Sequence, residues 1–259
     1  MLKKYLSQHL IKDKNILKKM VRLSGIGGDD VIVEIGAGHG DLTGCLCEAA
    51  GIVYAIEIDR TFDRYLEPLK GRYGNLRLIF CNFLETDLPY FSNASGGKKI
   101  KVFGNIPYKI TAPIIFKIIA ERDVIDSAFM TVQKEIGERI LAKPASRAYG
   151  AVSVICQLLA DVKILLRLKA SVFVPAPKVD SIFFSMVLKK DCEFIKDSFI
   201  RFVRLCFENK RKYMKNTLMR HYNKEKVYLL YDEMGLSYNI RAEEIEPERF
   251  IEMYRFLHG

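Results

Sequence analysis

Val31-Ile-Val-Glu-Ile-Gly-Ala-Gly-His-Gly40 decides the fold. Its first five positions are mostly apolar without alternation, as in a strand covered on both faces. The G-x-G-x-G pattern that follows lets the backbone turn sharply and approach a ligand closely. A helical pattern, 41–50, comes next. Working outward, strand-length apolar runs recur at Val53–Ile58, Leu76–Phe80, Lys101–Gly104, Ala128–Gln133, Lys163–Leu168 and Ser181–Leu188. Amphipathic segments 60–70, 111–121, 134–142 and 148–160 lie among them. The alternation predicts an α/β, doubly wound seven-stranded sheet covered on both faces, not the six-stranded dinucleotide fold. The last two runs are joined by a proline-containing loop without a helix, which predicts an antiparallel pair at an edge.

Ser92-Asn-Ala-Ser-Gly-Gly97 reads as a surface loop by composition. After Lys190 the strand pattern stops. Phe199, Phe202, Val203, Leu205 and Phe207 then recur at helical spacing. Two domains are predicted: an α/β domain over 1–190 and a small all-helical domain over 191–259.

The 259 residues suffice for that arrangement. No apolar run approaches the roughly 18 residues of a membrane span, so no membrane partner is expected. The net charge of +10 favours a polyanion, nucleic acid before membrane. The charge is concentrated at the ends. Residues 1–22 hold seven Lys/Arg against Asp13, and 196–224 hold nine against Asp197 and Glu208. The six cysteines include no C-x-x-C and the four histidines are scattered, so no metal is expected. Reduced cysteines and the lack of a secretory leader predict a cytoplasmic location. Nothing in the sequence signals an oligomer interface, and a monomer is expected.

Glu57 closes the second strand, 21 residues after Gly36, where an acid can accept both ribose hydroxyls of an adenosine-containing cofactor. A nicotinamide dinucleotide site looks similar, but three details favour S-adenosyl-L-methionine. The third glycine of the turn, Gly40, comes two residues after Gly38, where the dinucleotide pattern has three. Glu34 stands two residues before Gly36, placed to receive a cationic amino acid end. Asn82-Phe83 follows the third strand, offering a polar partner for the adenine amine and an aromatic cover for the ring.

Phe103-Gly-Asn-Ile-Pro-Tyr108 follows the fourth strand, at the sheet edge where ligands bind. An adenine N6 amine is a poor nucleophile because its lone pair is conjugated into the ring. The Asn105 carbonyl and a backbone carbonyl can each accept one of its N–H bonds and so aim the lone pair. Pro107 fixes the chain, and Tyr108 offers a face for an extruded base. Phe173, before Val-Pro-Ala-Pro177, is a candidate second stacking face. Catalysis of this kind is mostly positioning.

These motifs resemble the KsgA-type rRNA adenine N6,N6-dimethyltransferases along nearly the whole chain. The similarity includes Leu6-Ser-Gln-His-Leu-Ile11, Glu34-Ile-Gly-Ala-Gly38, Ile56-Glu-Ile-Asp59 and Phe103-Gly-Asn-Ile-Pro-Tyr108. It continues through Tyr149-Gly-Ala-Val-Ser153, Phe173-Val-Pro-Ala-Pro-Lys-Val-Asp-Ser181 and Phe207-Glu-Asn-Lys-Arg-Lys212. The resemblance implies a Rossmann-like class I methyltransferase fold. It implies cofactor contacts from His9, Ile11, Gly36, Glu57, Asn82 and Asn105. Its implied substrate is two adjacent adenosines, each methylated twice, in the 3′-terminal hairpin loop of small-subunit rRNA in an immature 30S particle. The family usually has Asp where this chain has Asn82, which predicts weaker cofactor binding that Asp would restore. Lys109 and Ala176 also depart from the usual pattern.

Erm-type enzymes, which act on large-subunit rRNA, also carry N-I-P-Y. Ala148–Ser153 and the P-A-P-K-V-D-S run resemble the small-subunit type more closely. A mainly non-catalytic ribosome-assembly factor is a further alternative. Lys210, Arg211, Lys212, Lys215 and Arg220 are candidates for a phosphate-binding stripe on the C-terminal helices.

Overall fold

The computed structural model describes residues 9–107, 110–190 and 197–259. In chain order the first elements are β1 (Leu10–Ile11), α1 (Lys14–Leu23), β2 (Val31–Ile35), α2 (Asp41–Cys47), β3 (Ile52–Glu57), α3 (Asp63–Arg72) and β4 (Leu76–Phe80). Then come α4 (Leu88–Ala94), β5 (Ile100–Asn105), α5 (Thr111–Ala120), β6 (Ile125–Gln133) and α6 (Lys134–Ile140). α7 (Ala151–Leu159), β7 (Ala160–Leu168), β8 (Phe173–Val174) and β9 (Ser181–Leu188) follow. The chain ends in α8 (Asp197–Cys206), α9 (Met214–Leu218), α10 (Lys224–Glu233) and α11 (Pro247–His258).

Seven strands form one mixed sheet in the order β4-β3-β2-β5-β6-β9-β7. β2 pairs in parallel with β3 and β5, with Val33 opposite Tyr54 on one side and Val102 on the other. Every residue of β2 is buried, Glu34 included, as expected for a central strand covered on both faces. β9 is antiparallel to β6 and lies between β6 and the edge strand β7. Phe103, Phe129 and Phe183 from β5, β6 and β9 meet in the core, with ring centroids 5.5–5.8 Å apart. Each such buried aromatic contributes about 1.5–3 kcal/mol.

Helix α1 was not anticipated. Asp13 caps it by accepting the Asn15 and Ile16 N–H groups. Leu17, Met20 and Val21 bury one face, while Lys14, Lys18, Lys19 and Arg22 stay exposed on the other. The expected loop 92–97 is shorter than its composition suggested: 92–94 complete α4, and the chain turns at Gly96 and Gly97.

Two compact units emerge. The first runs to Gly137 and resumes over Lys163–Leu188; the second holds Glu138–Val162 and Lys189–Gly259. Segment 138–162, assigned to the first domain from sequence, therefore groups with the C-terminal helices. The reason is that α7 is apolar nearly all round and packs against α8 and α11. Tyr149, wholly buried, donates to the Ile245 carbonyl at 2.8 Å within that unit. Cys156 lies in the same interior, where burial pushes its thiol up to about 12.

Candidate active site

The carboxyl ends of β2, β3, β4 and β5 open onto a cavity of about 330 Å³. Gly36, Gly38, Glu57, Asn82, Phe83, Asn105 and Pro107 line it, together with His9 and Ile11. The turn after β2 is pinned by the Gly36 and Ala37 N–H groups, both donating to the Ile56 carbonyl. Gly36 has φ +74°, and a Cβ there would meet nothing within 4 Å, so the cavity reaches the bare backbone. Gly40 is glycine for another reason: with φ +81°, a Cβ would sit 2.4 Å from Leu69 Cδ1.

Glu57 is buried at the end of β3. Its Oε2 accepts the Gly38 N–H at 2.9 Å and its Oε1 accepts the Asp59 N–H at 2.8 Å. Burial raises its carboxyl pKa, and the Asp59, Gly38 and Ile58 N–H groups pull it back down. The carboxylate retains acceptor capacity beyond these N–H groups, which suits a vicinal diol.

Asn82 Oδ1 accepts the Leu84 N–H at 3.1 Å, capping the single 3-10 turn that starts at Phe83. Phe83 is buried at the cavity wall, with the Lys117 ammonium 6.0 Å from its ring centroid. Lys117 also pairs with Glu121 and donates to the Thr86 carbonyl. Glu121, which caps the end of α5, in turn accepts the Leu88 N–H, so Lys117 and Glu121 together tie Thr86 and Leu88 to the end of α5.

Asn105 ends β5, and its Nδ2 donates to the His9 carbonyl. That bond fixes the amide with Oδ1 as its acceptor end. The Pro107 carbonyl accepts the Ile110 N–H at 3.1 Å and retains a second lone pair. Tyr108 and Lys109 lie outside the described residues. His9 Nδ1 lies 2.7 Å from the Pro175 carbonyl. β1 and β8 form a separate antiparallel ribbon with Leu10 opposite Val174 and Ile11 opposite Phe173.

Two expected site residues are placed elsewhere. Glu34 is fully buried and does not line the cavity, whereas its neighbour Ile35 does. Glu34 shares a sheet face with Glu57 and Asn105, but it stands before the end of β2, beside Thr43 of α2, while the cavity opens beyond the strand ends. Neither carboxyl oxygen has a hydrogen-bond partner among the described residues. Burial pushes the carboxyl up to about 8; the nearby Thr43 hydroxyl opposes this and Glu57 adds to it. Phe173, the candidate stacking face, is 2% exposed and belongs to the hydrophobic core. Val174 takes the outward position on β8, 48% exposed.

The structure adds residues that the motifs did not single out. Ile58 is 56% exposed and lines the cavity; an apolar side chain left open at a strand end was its only sequence signal. His39 lies 5.2 Å from the Phe62 ring and 4.4 Å from Tyr65. Burial first, then Lys12, lowers its pKa.

In the C-terminal unit the basic stripe divides. Lys210 Nζ donates to the Arg147 and Tyr149 carbonyls, both at 2.7 Å, and pairs with Glu243 at 3.2 Å. It is a structural tie. Lys215 lies over the rings of Tyr228 and Tyr238. Arg211, Lys212 and Arg220 are exposed.

An apolar cavity with a few convergent polar groups, at the carboxyl edge of a seven-stranded mixed sheet, defines a Rossmann-like class I methyltransferase. The family model described as ribosomal RNA adenine dimethylase matches residues 1–258, and the chain belongs to that family. Ribosomal RNA small subunit methyltransferase A of Fusobacterium nucleatum is 36% identical, covering 99% of this chain and 97% of the relative. The protein of the same description from Chlorobium luteolum is 37% identical over 98% and 89%. A solved dimethyladenosine transferase from Plasmodium falciparum has TM-score 0.80 and 26% identity over 95% and 96% of the two chains. The 23S rRNA methyltransferase ErmE, at TM-score 0.70 and 22% identity over 96% and 100%, shares the fold.

Proposed function

We propose that this chain methylates N6 of two adjacent adenosines, each twice, in the 3′-terminal hairpin loop of small-subunit rRNA within an immature 30S particle. The observation that carries this reading is Asn105, set on the cavity with its carbonyl as the acceptor end, in a chain of the rRNA adenine dimethylase family. The names of the curated relatives favour the small subunit over the large.

The cavity fits S-adenosyl-L-methionine: bare backbone at Gly36, a carboxylate at Glu57 for a diol, and Asn82 with Phe83 for an adenine. When bound, it supplies a methyl group made electrophilic by cationic sulfur. His9 and Ile11 close the cavity from the N-terminal side. Asn105 Oδ1 and the Pro107 carbonyl accept the two N–H bonds of the substrate amine and turn its lone pair toward the cavity. Tyr108 stacks the extruded base. No strong base is needed, because the amine becomes acidic only as it is alkylated, and its proton leaves to water. Positioning therefore supplies most of the rate.

Arg211, Lys212 and Arg220, together with the exposed basic face of α1, supply phosphate contacts for affinity and orientation. The enzyme works as a cytoplasmic monomer without a metal. No helix among the described residues is long and apolar enough to cross a membrane.

The test is methyl transfer to undermethylated 30S particles, with mapping of the modified bases and an Asn105→Ala control. The reading expects N6,N6-dimethyladenosine at two adjacent positions and none with the control. Methylation confined to protein-free 23S rRNA would replace it with the Erm-type alternative, and absence of transfer with the assembly factor.

A further inference from the structure

The side-chain amide of Asn82 is held at both ends. Its Oδ1 accepts the Leu84 N–H at 3.1 Å, and its Nδ2 donates to Glu85 Oε1 at 2.9 Å. Turned over, the amide would set NH2 against an N–H group and a carbonyl against a carboxylate. Both contacts would then repel, so a single orientation is imposed. Asn82 lines the cavity; Glu85 does not, and is exposed. The negative charge that the family usually places at this position therefore stands three residues further on. Through Nδ2 the carboxylate polarises the amide and strengthens Oδ1 as an acceptor.

We infer that Glu85 is a positioning residue for the cofactor: it locks the Asn82 carbonyl toward the adenine amine, and the two side chains form a matched pair. This rests on the reading of the cavity as an S-adenosylmethionine site. It reverses the expectation that Asp at 82 would tighten binding. A carboxylate there would lose the Nδ2 donor and face the Glu85 carboxylate across the same short contact.

Calorimetry on the full chain with S-adenosylmethionine tests the pair. Asn82→Asp and Glu85→Ala should each bind about three- to tenfold more weakly, on the scale of one exposed charge-assisted hydrogen bond. Combining Asn82→Asp with Glu85→Gln should return the affinity to within about twofold, because the new amide donates to the new carboxylate. A second readout compares S-adenosylhomocysteine with its inosine counterpart, which carries a carbonyl oxygen in place of the amine. Glu85→Ala should cut that discrimination at least about threefold. Binding by Asn82→Asp as tight as wild type, unchanged binding or discrimination in Glu85→Ala, or purely additive losses in the double variant would overturn the pairing. A fall in ligand-free melting temperature large enough to account for the weaker binding would also overturn it, by reducing Glu85 to a turn stabiliser. Failure of the wild-type chain to bind S-adenosylmethionine would instead strike the reading of the cavity.

Discussion

The Asn105 side-chain amide donates to the backbone carbonyl of His9, 96 residues earlier in the chain. One bond thus fixes the orientation of the reaction-loop amide and fastens the His9–Ile11 stretch at the cavity. Asn105→Asp sets an acceptor against that carbonyl. Methyl transfer should fall by roughly a hundredfold or more, the scale expected when a reacting group is misplaced by about 1 Å. Hydrogen exchange at Leu10 and Ile11 should rise with it. Preserved protection there, with activity lost, would separate catalysis from the clamp.

Glu57 holds two backbone N–H groups while facing the cavity. Glu57→Gln sets an NH2 group against one of those donors. S-adenosylmethionine binding by calorimetry should weaken roughly ten- to a hundredfold, the range for one hydrogen bond to a charged group. An unchanged Kd would show that the carboxylate serves the turn alone.

The buried Glu34 carries a pH signature. Its folded-state pKa, about 8, lies above the ordinary carboxyl value near 4.5, because burial penalises the charged form. The unfolded chain therefore releases this proton first as pH rises. Stability should decline between about pH 4.5 and 8 and level off above, by on the order of 3–5 kcal/mol at most. Urea unfolding across pH 5–9 reads the slope. Glu34→Gln should flatten it, and a slope that survives the substitution would assign it to other groups.

Lys210 and its exposed neighbours should part company under mutation. Lys210→Met removes the tie to the Arg147 and Tyr149 carbonyls and to Glu243, and should cost about 1–2 kcal/mol of stability. It should leave the salt dependence of rRNA binding unchanged. Neutralising Arg211, Lys212 and Arg220 together should lower the log–log salt slope by about two, with little change in melting temperature. Filter binding over a salt series and thermal melts distinguish the two sets.

The seven sheet strands were legible because each is a short, predominantly apolar run set off by helical or turn-forming stretches. The Gly36–Gly40 turn and the 105–107 loop were legible because their residue types have few other uses. β1 and β8 were not, since two-residue strands carry no period and their partners lie far apart in the chain. Glu34 misled because it has the right face but not the right depth: it is fully buried within β2, short of the strand end where Glu57 and Asn105 meet the cavity. Phe173 misled because one step along β8 exchanges core for solvent. Lys210 was read from a charge run, and no run reveals which ammonium turns inward to carbonyl groups. The placement of 138–162 depends on α7 being apolar nearly all round, which a hydrophobic pattern alone cannot assign to a partner.

The β1–β8 ribbon has a consequence for the order in which the protein matures. β2 to β5, the glycine turn and the Asn105 loop leave the translating ribosome well before Phe173–Pro175, against which Leu10, Ile11 and His9 are fastened. A nascent chain stalled before residue 173 carries the floor of the cavity without its clasp. Capture of the ligand is thereby deferred until most of the polypeptide has emerged.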